Sequence, residues 1–434
     1  MTDVPARSGI GRDMMANPGL KAQTRTALQA AEEGDPDRTT KLEQALESDP
    51  YNGALIIQHA VARVDSGDQD PFAHLTDIIR RAPDWVDGHA ALARLRWETG
   101  DRENFLVDLE KALAQQPKNP MLWNLYIDLL AAVERFEEAA NAARAAMDTG
   151  FADPVLQLIE AMHAGSAGDH QRAMQLFAEL PDQFAGRAVN EARQHLRMNQ
   201  PDQASTLLDQ ARMENPEDLS AWALTELTWR KLADPRHDWL FRDGALISFA
   251  PVDLDDKELQ DLAVLLEKLH QSQYQPVGQS VRNGTQTRGN LQRNKNPLLV
   301  RLFDRLQSAV ESYFEALPDP DPEHPLLKHR RSAIRITGGW SIRATAGGYH
   351  TSHLHPGGKI SSACYISIPG LEDTGRAGHL QLGSPPKDIP IDLDPVRTIK
   401  PRAGHLALFP SFLYHGTVPF SCPGQRMTVA FDAA

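Results

Sequence analysis

Residues 340–369 read "WSIRATAGGYHTSHLHPGGKISSACYISIP". Two β-type runs flank a loop that places His350, His353 and His355 within six positions, directly before Pro356-Gly357-Gly358. On an extended chain, side chains two apart face the same way. His353 and His355 therefore point together, and His350 has the opposite parity. Imidazole is the commonest metal-ligand side chain, so a metal site competes here with a histidine-rich surface loop. Gly347, Gly348, Gly357 and Gly358 read as turn glycines supplying positive φ.

The same texture continues outward. "SAIRITGG", "GHLQLGSP", "GHLALFPSFLYHGTVPF" and "RMTVAFDA" are short β-type runs punctuated by Gly and Pro. Many such strands predict a sandwich, barrel or jelly roll. His415 follows His355 by 60 residues, and Arg426 comes 11 residues later. In the last run Arg426 and Thr428 share one face, while Met427, Val429 and Phe431 share the other. The ordered set is H-x-H, a distant His, then R-x-T. Non-haem iron oxygenases hold Fe(II) through three facing ligands and leave positions open. An arginine fork pairs bidentately with the far carboxylate of an oxo-acid cosubstrate.

On these residues the chain resembles the 2-oxoglutarate- and Fe(II)-dependent oxygenases, in the bacterial branch that carries tetratricopeptide repeats. The likeness rests on residues 340–369 with "GHLQLGSPP", "PRAGHLALFPSFLYHGTVPF", "QRMTVAFD" and the upstream "QSVRNGTQT", and spans about residues 238–434. It implies a double-stranded β-helix, with Fe(II) on His353, His355 and His415, and 2-oxoglutarate and O2 as cosubstrates. Arg426 and Thr428 would hold the cosubstrate, and succinate, CO2 and a hydroxylated substrate would leave. One departure stands out. Most such enzymes read H-x-D or H-x-E, whereas His355 occupies the second ligand position and leaves the centre one negative charge short. Either all three imidazoles bind the metal, the reading preferred here, or His355 stands off and a water replaces it. Glu372 and Asp373 are loop carboxylates and weak substitutes. Tyr365 either hydrogen-bonds the cosubstrate or is a packed aromatic. Trp340 and Arg343 are candidates for the substrate mouth, Trp340 competing as a core residue. Gln279, Arg282, Gln286 and Thr287 form either a substrate-covering segment or a surface loop.

The front of the chain repeats itself. Pro50, Pro83 and Pro117 end helical stretches at intervals of 33 and 34 residues, and Pro216 follows at 99. Turns at Gly67, Gly100, Glu134, Gly168 and Gln200 keep the same beat. Between them, apolar residues recur three and four apart. This predicts about six helix–turn–helix units that resemble tetratricopeptide repeats, with Ala112, Ala139 and Ala173 where helices approach closely. The expected architecture is a flexible tail over 1–17, an all-α repeat solenoid over 18–235, and a double-stranded β-helix oxygenase domain with flanking helices over 236–434. "HDWLFRDGALISFAPVDL" reads as an entry strand, followed by two amphipathic helices.

Formal net charge is -13, which argues against a nucleic-acid-binding protein. Residues 1–235 carry 23 basic and 38 acidic side chains, whereas residues 236–434 carry 22 and 20. An acidic repeat array is suited to a basic protein or peptide partner; the alternative is an array that serves assembly, such as homodimerisation. No stretch approaches the length of a membrane span, and "MTDVPARSGIGRDMM" has no apolar signal core. Two cysteines, Cys364 and Cys422, exclude a disulfide scaffold and fit a reducing, cytoplasmic compartment, with a single bridge between them left open. Three function classes follow: a hydroxylase of docked proteins or peptides, an oxygenase of a small metabolite, or a metal-binding scaffold without turnover.

Overall fold

The computed structural model describes residues 18–150, 153–272, 274–370 and 375–434. The expected tail over 1–17 and the carboxylates Glu372 and Asp373 lie outside the described residues. The chain divides into two compact units after Ile78. In the first, helices Pro18–Glu33, Arg38–Ser48 and Gly53–Asp65 bury Ala27, Leu42, Leu55 and Ala60.

The second unit opens with antiparallel helices running from Val86 to Lys231. Its Pro markers have a structural cause. Two residues beyond Pro117 and Pro216, the Asn119 and Asp218 side chains accept from backbone N–H groups of the next helix, a preferred N-cap arrangement. Six residues beyond the same prolines, Trp123 and Trp222 each donate Nε1–H to the Pro carbonyl at 2.9 Å. His89 contacts the Pro83 carbonyl from the equivalent place at 3.1 Å. Ala112, Ala139 and Ala173 are buried, as helices in close contact require.

Nine strands follow among the described residues: β1 (Ser248–Pro251), β2 (Val281–Gln286), β3 (Ile336–His350), β4 (Ile360–Ser367), β5 (Leu380–Leu382), β6 (Arg397–Ile399), β7 (His405–Pro410), β8 (His415–Thr417) and β9 (Arg426–Ala433). They form a six-stranded sheet of order β1-β7-β4-β9-β3-β2 and a three-stranded sheet of order β6-β5-β8. Every pairing is antiparallel. Leu380, Leu382 and Ile399 of the small sheet pack with Ala407 and Phe409 of the large one. The result is the double-stranded β-helix. Helices Asp256–Leu269 and Pro297–Ala316 cover the outer face of the large sheet. Their Leu262, Leu266, Leu302 and Leu306 share a core with Met427, Val429 and Phe431.

Three expectations need adjustment. The expected entry strand is confined to β1, because Arg236–Phe241 is helical and anchors Trp239 against Trp222 and Asp321. "QSVRNGTQT" is not a loop: its centre is β2, an edge strand paired with β3. Of the four suspected turn glycines only Gly347 has positive φ, at 79°. Cys364 and Cys422 are both free. No helix among the described residues is long and apolar enough to cross a membrane.

Candidate metal centre

β3 ends at His350, and the chain then crosses to the small sheet. There His353 and His415 form an isolated antiparallel bridge, each backbone N–H donating to the other's carbonyl at 3.0 Å. This bridge brings together two side chains 62 positions apart. Gly416 permits it, since a Cβ there would lie 2.9 Å from the His350 carbonyl and 3.1 Å from Ser352 N. His355, two residues past His353, turns to the same side. One ligand atom from each of His353, His355 and His415 lies within 4.8 Å of the others.

The ring nitrogens are sorted by their neighbours. His353 Nδ1 stands 2.8 Å from the Thr351 carbonyl, and His415 Nδ1 stands 3.1 Å from the Leu413 carbonyl. A carbonyl only accepts, so each Nδ1 carries the proton and each Nε2 carries a lone pair. His353 Nε2 faces His355 Nε2 at 3.1 Å. Burial, and then the neighbouring His355, push the His353 pKa down to about 3. Burial, then His353 and His355, hold His415 well below the usual range. These imidazoles are neutral at physiological pH and converge lone pairs on one point, an arrangement that a divalent cation relieves. The donor set fits a metal ion.

A cavity of about 600 Å³, including solvent at its mouth, opens between the two sheets over this point. Arg426, Thr428 and Tyr365 line it. Arg426 is 3% exposed and donates to the Gly378 carbonyl and to Thr417 Oγ1, both at 3.0 Å. No carboxylate among the described residues meets it. Burial lowers its pKa, and Tyr365 partly offsets this. A buried guanidinium without a counter-ion is costly and suits an anionic ligand. Burial pushes the Tyr365 phenol up to about 12, so it is a neutral hydrogen-bond donor beside that cation.

The remaining sequence candidates divide. Trp340, Gln279 and Gln286 line the cavity, and the Trp340 ring stacks on His355 with centroids 5.7 Å apart. Arg282 instead pairs with Glu134 of the repeats and donates to the Gln279 carbonyl at 2.6 Å. Arg343 pairs in register with Met427 and has the parity of the helix-covered face. Thr287 is buried and accepts from the Ser341 backbone.

Sequence reasoning missed three neighbours of the triad. Ser280 Oγ lies 2.9 Å from His350 Nδ1 and 3.2 Å from His353 Nε2. His350 is therefore a fourth imidazole at the site, held well below its usual pKa by burial, then by His353 and Arg426. Asp432 Oδ1 lies 3.2 Å from His355 Nδ1. Only Asp432 had a usable signal: it continues the alternation of Arg426 and Thr428 along β9. The Ser280–His350 contact joins residues 70 apart and has none.

Leu354 and Tyr414 are chain neighbours of the candidate metal ligands. Both pack in one core with Ala188, Ala192, Leu196 and Leu224 of the repeat helices. Arg193 donates to Tyr414 Oη at 2.9 Å and to both Asp388 oxygens at 2.8 and 3.0 Å. Arg197 donates to Asp388 as well, at 3.0 Å.

Residues 338–432 match the family model described as "Putative 2OG-Fe(II) oxygenase". No curated protein matches the chain. Among solved structures, the chain is similar to HygX from Streptomyces hygroscopicus with nickel, 2-oxoglutarate and hygromycin B bound (16% identity over 46% of this chain and 86% of that one, TM-score 0.30). It is also similar to a Pseudomonas putida prolyl-4-hydroxylase (15% identity, 45% and 97%, TM-score 0.29). A tetratricopeptide repeat protein from Parabacteroides merdae is a third likeness (15% identity, 51% and 90%, TM-score 0.35).

Proposed function

We propose that the C-terminal domain is a 2OG-Fe(II) oxygenase, as the family-model match over residues 338–432 supports, and that the chain is a hydroxylase acting on a protein or peptide. His353, His355 and His415 would hold Fe(II), and Arg426, Thr428 and Tyr365 would hold 2-oxoglutarate. One observation carries the reading: three imidazole nitrogens converge in a cavity that also holds a buried guanidinium with no carboxylate partner among the described residues. Bound there, the iron supplies O2 activation coupled to decarboxylation of 2-oxoglutarate to succinate and CO2. The chain's own residues bind and orient. Arg426 forks onto the distal carboxylate, and the neutral Tyr365 phenol and the Thr428 hydroxyl are placed to donate to it. Trp340, Ile342, Leu380 and Phe409 wall the cavity with apolar surface and limit water.

The acidic repeats support a protein substrate, since a negative surface favours basic partners. A second reading has its own support. Tyr414 is buried, and Leu354 partly buried, against repeat helices, so the array also serves to hold the catalytic domain, and the substrate would then be a small metabolite. A cytoplasmic setting belongs to the same proposal.

The test is a Mn(II) titration of purified protein, with succinate release measured separately on Fe(II)-loaded enzyme. About one Mn(II) should bind per chain, and His353→Ala and His415→Ala should each abolish binding and turnover. Full metal occupancy in the double variant would refute the site. Succinate release stimulated by a small metabolite but by no protein would select the second reading.

A further inference from the structure

We propose that Asp432 is a positioning residue for the metal centre: its carboxylate oxygen accepts the Nδ1 proton of His355 and thereby aims His355 Nε2 at the metal. The inference rests on the proposed metal reading and deepens it. His353 and His415 have their Nδ1 protons fixed by backbone carbonyls two residues earlier, at Thr351 and Leu413. His355 makes no such bond. Its predecessor by two is His353, whose carbonyl is already taken by the His415 N–H at 3.0 Å. The third ligand therefore needs an acceptor from another part of the chain, and the last strand provides it.

The geometry favours this assignment. Asp432 lies on β9 opposite Gly338 of β3, and its Oδ1 is 3.2 Å from His355 Nδ1. That oxygen is buried and has no hydrogen-bond partner; the His355 Nδ1 contact at 3.2 Å is close enough for a small ring rotation to align it. A buried acceptor without a partner is costly, so only the imidazole N–H is within reach to satisfy it. The space beside it is kept open by Gly358, where a Cβ would come within 3.3 Å of the Asp432 Cβ. Trp340 closes the other side of the His355 ring, stacked at 17° between planes. The ring is thus held between an indole and the triad, with its remaining freedom a flip that would exchange Nδ1 and Nε2. An acceptor at Nδ1 removes that freedom. Outer acceptors of this kind fix the tautomer and orientation of metal-bound histidines.

The inference bears on the departure noted in the sequence. Where most relatives have a carboxylate ligand, this chain has His355. The carboxylate is present but one bond further out, on a different strand.

The experiment is a Mn(II) titration of the full-length chain by calorimetry, comparing wild type with Asp432→Ala, Asp432→Leu and Asp432→Asn. Leucine fills the same space without an acceptor, and asparagine keeps Oδ1 as an acceptor. Asp432→Ala and Asp432→Leu should weaken Mn(II) binding by roughly 10- to 100-fold, while Asp432→Asn should stay within about 3-fold of wild type. If Asp432→Ala does not fold, the contrast between the Leu and Asn variants carries the test. Wild-type affinity in Asp432→Leu, or a loss in Asp432→Asn equal to that in Asp432→Leu, would overturn the proposal. Failure of the wild-type chain to bind Mn(II) would instead overturn the metal reading, and the two failures are separable.

Discussion

The helices of residues 86–231 and the strands of residues 248–433 are built on opposite kinds of contact. In the helical part each element packs on its chain neighbour, and the same capping and Trp-to-Pro bonds recur at Pro117 and Pro216. In the β part the decisive contacts join distant residues: His353 with His415, Ser280 with His350, Tyr365 with Thr428. Where the two parts meet, this division breaks down. Leu219, Trp222 and Trp229 of the last repeat helix share a core with β4, β7 and β9. Leu354 and Tyr414, next to the candidate ligands, pack against the repeats. In a repeat array each unit ordinarily contacts only its neighbours along the chain. Here the last units are part of the wall behind the candidate metal centre.

The largest expected effect breaks the comparison outright. Residues 236–434 expressed alone lose the partners of that shared core. Each buried Leu or Trp is worth about 1.5–3 kcal/mol, and several together rival a typical total stability of about 5–15 kcal/mol. The fragment should lack a cooperative thermal transition and bind no Mn(II). A well-folded fragment with full metal affinity would show that the array is an appendage.

A smaller cut tests the junction in the intact chain. Arg193→Ala leaves Tyr414 Oη without its donor and Asp388 with Arg197 alone, and should cost about 1.5–3 kcal/mol, as for loss of a charge-assisted hydrogen bond. Arg135→Ala, which removes an exposed pair with Glu138 inside the array, should cost under about 1 kcal/mol. Chemical denaturation of both variants measures the difference. Equal losses would mean that the junction carries no special load.

Within the β part, Arg426→Ala separates the anion end of the cavity from the metal end. Loss of a charge-assisted pair costs about 1.5–3 kcal/mol, or roughly 10- to 150-fold in 2-oxoglutarate affinity. Mn(II) affinity should hardly change. Unaltered 2-oxoglutarate binding, read by calorimetry on the Mn(II)-loaded variant, would make Arg426 a purely structural residue.

One further effect appears only on acidification. Burial lowers the His270 pKa to about 3 and the His324 pKa to about 4. Both are neutral in the fold and titrate near 6.5 once unfolded, so between those values only the unfolded chain binds their protons. Stability should therefore fall as pH drops below about 6.5, by up to about 1.4 kcal/mol per pH unit for each. A melting temperature that stays flat from pH 7 to pH 5 would contradict this.

Much of this molecule is legible in short windows of its chain. The 33- to 34-residue beat of prolines and turns exposes the helical units, because helix stops and caps are local chemistry. The parity of Arg426, Thr428 and Met427 follows from the two-residue period of any strand. The common facing of His353 and His355 follows in the same way. "QSVRNGTQT" was harder, since a polar edge strand has no alternation strong enough to separate it from a loop; its pairing with β3 makes it a strand.

Other features were settled only by tertiary structure. Gly358 and Trp340 confine His355, and Asp432 reaches its Nδ1 from the last strand. Ser280 joins His350 across 70 positions. Leu354 and Tyr414 pack against helices more than 100 residues earlier in the chain. Periodicity encodes which way a side chain points relative to its own neighbours. It carries no information about which distant surface will be waiting there, because that depends on how separately formed elements pack.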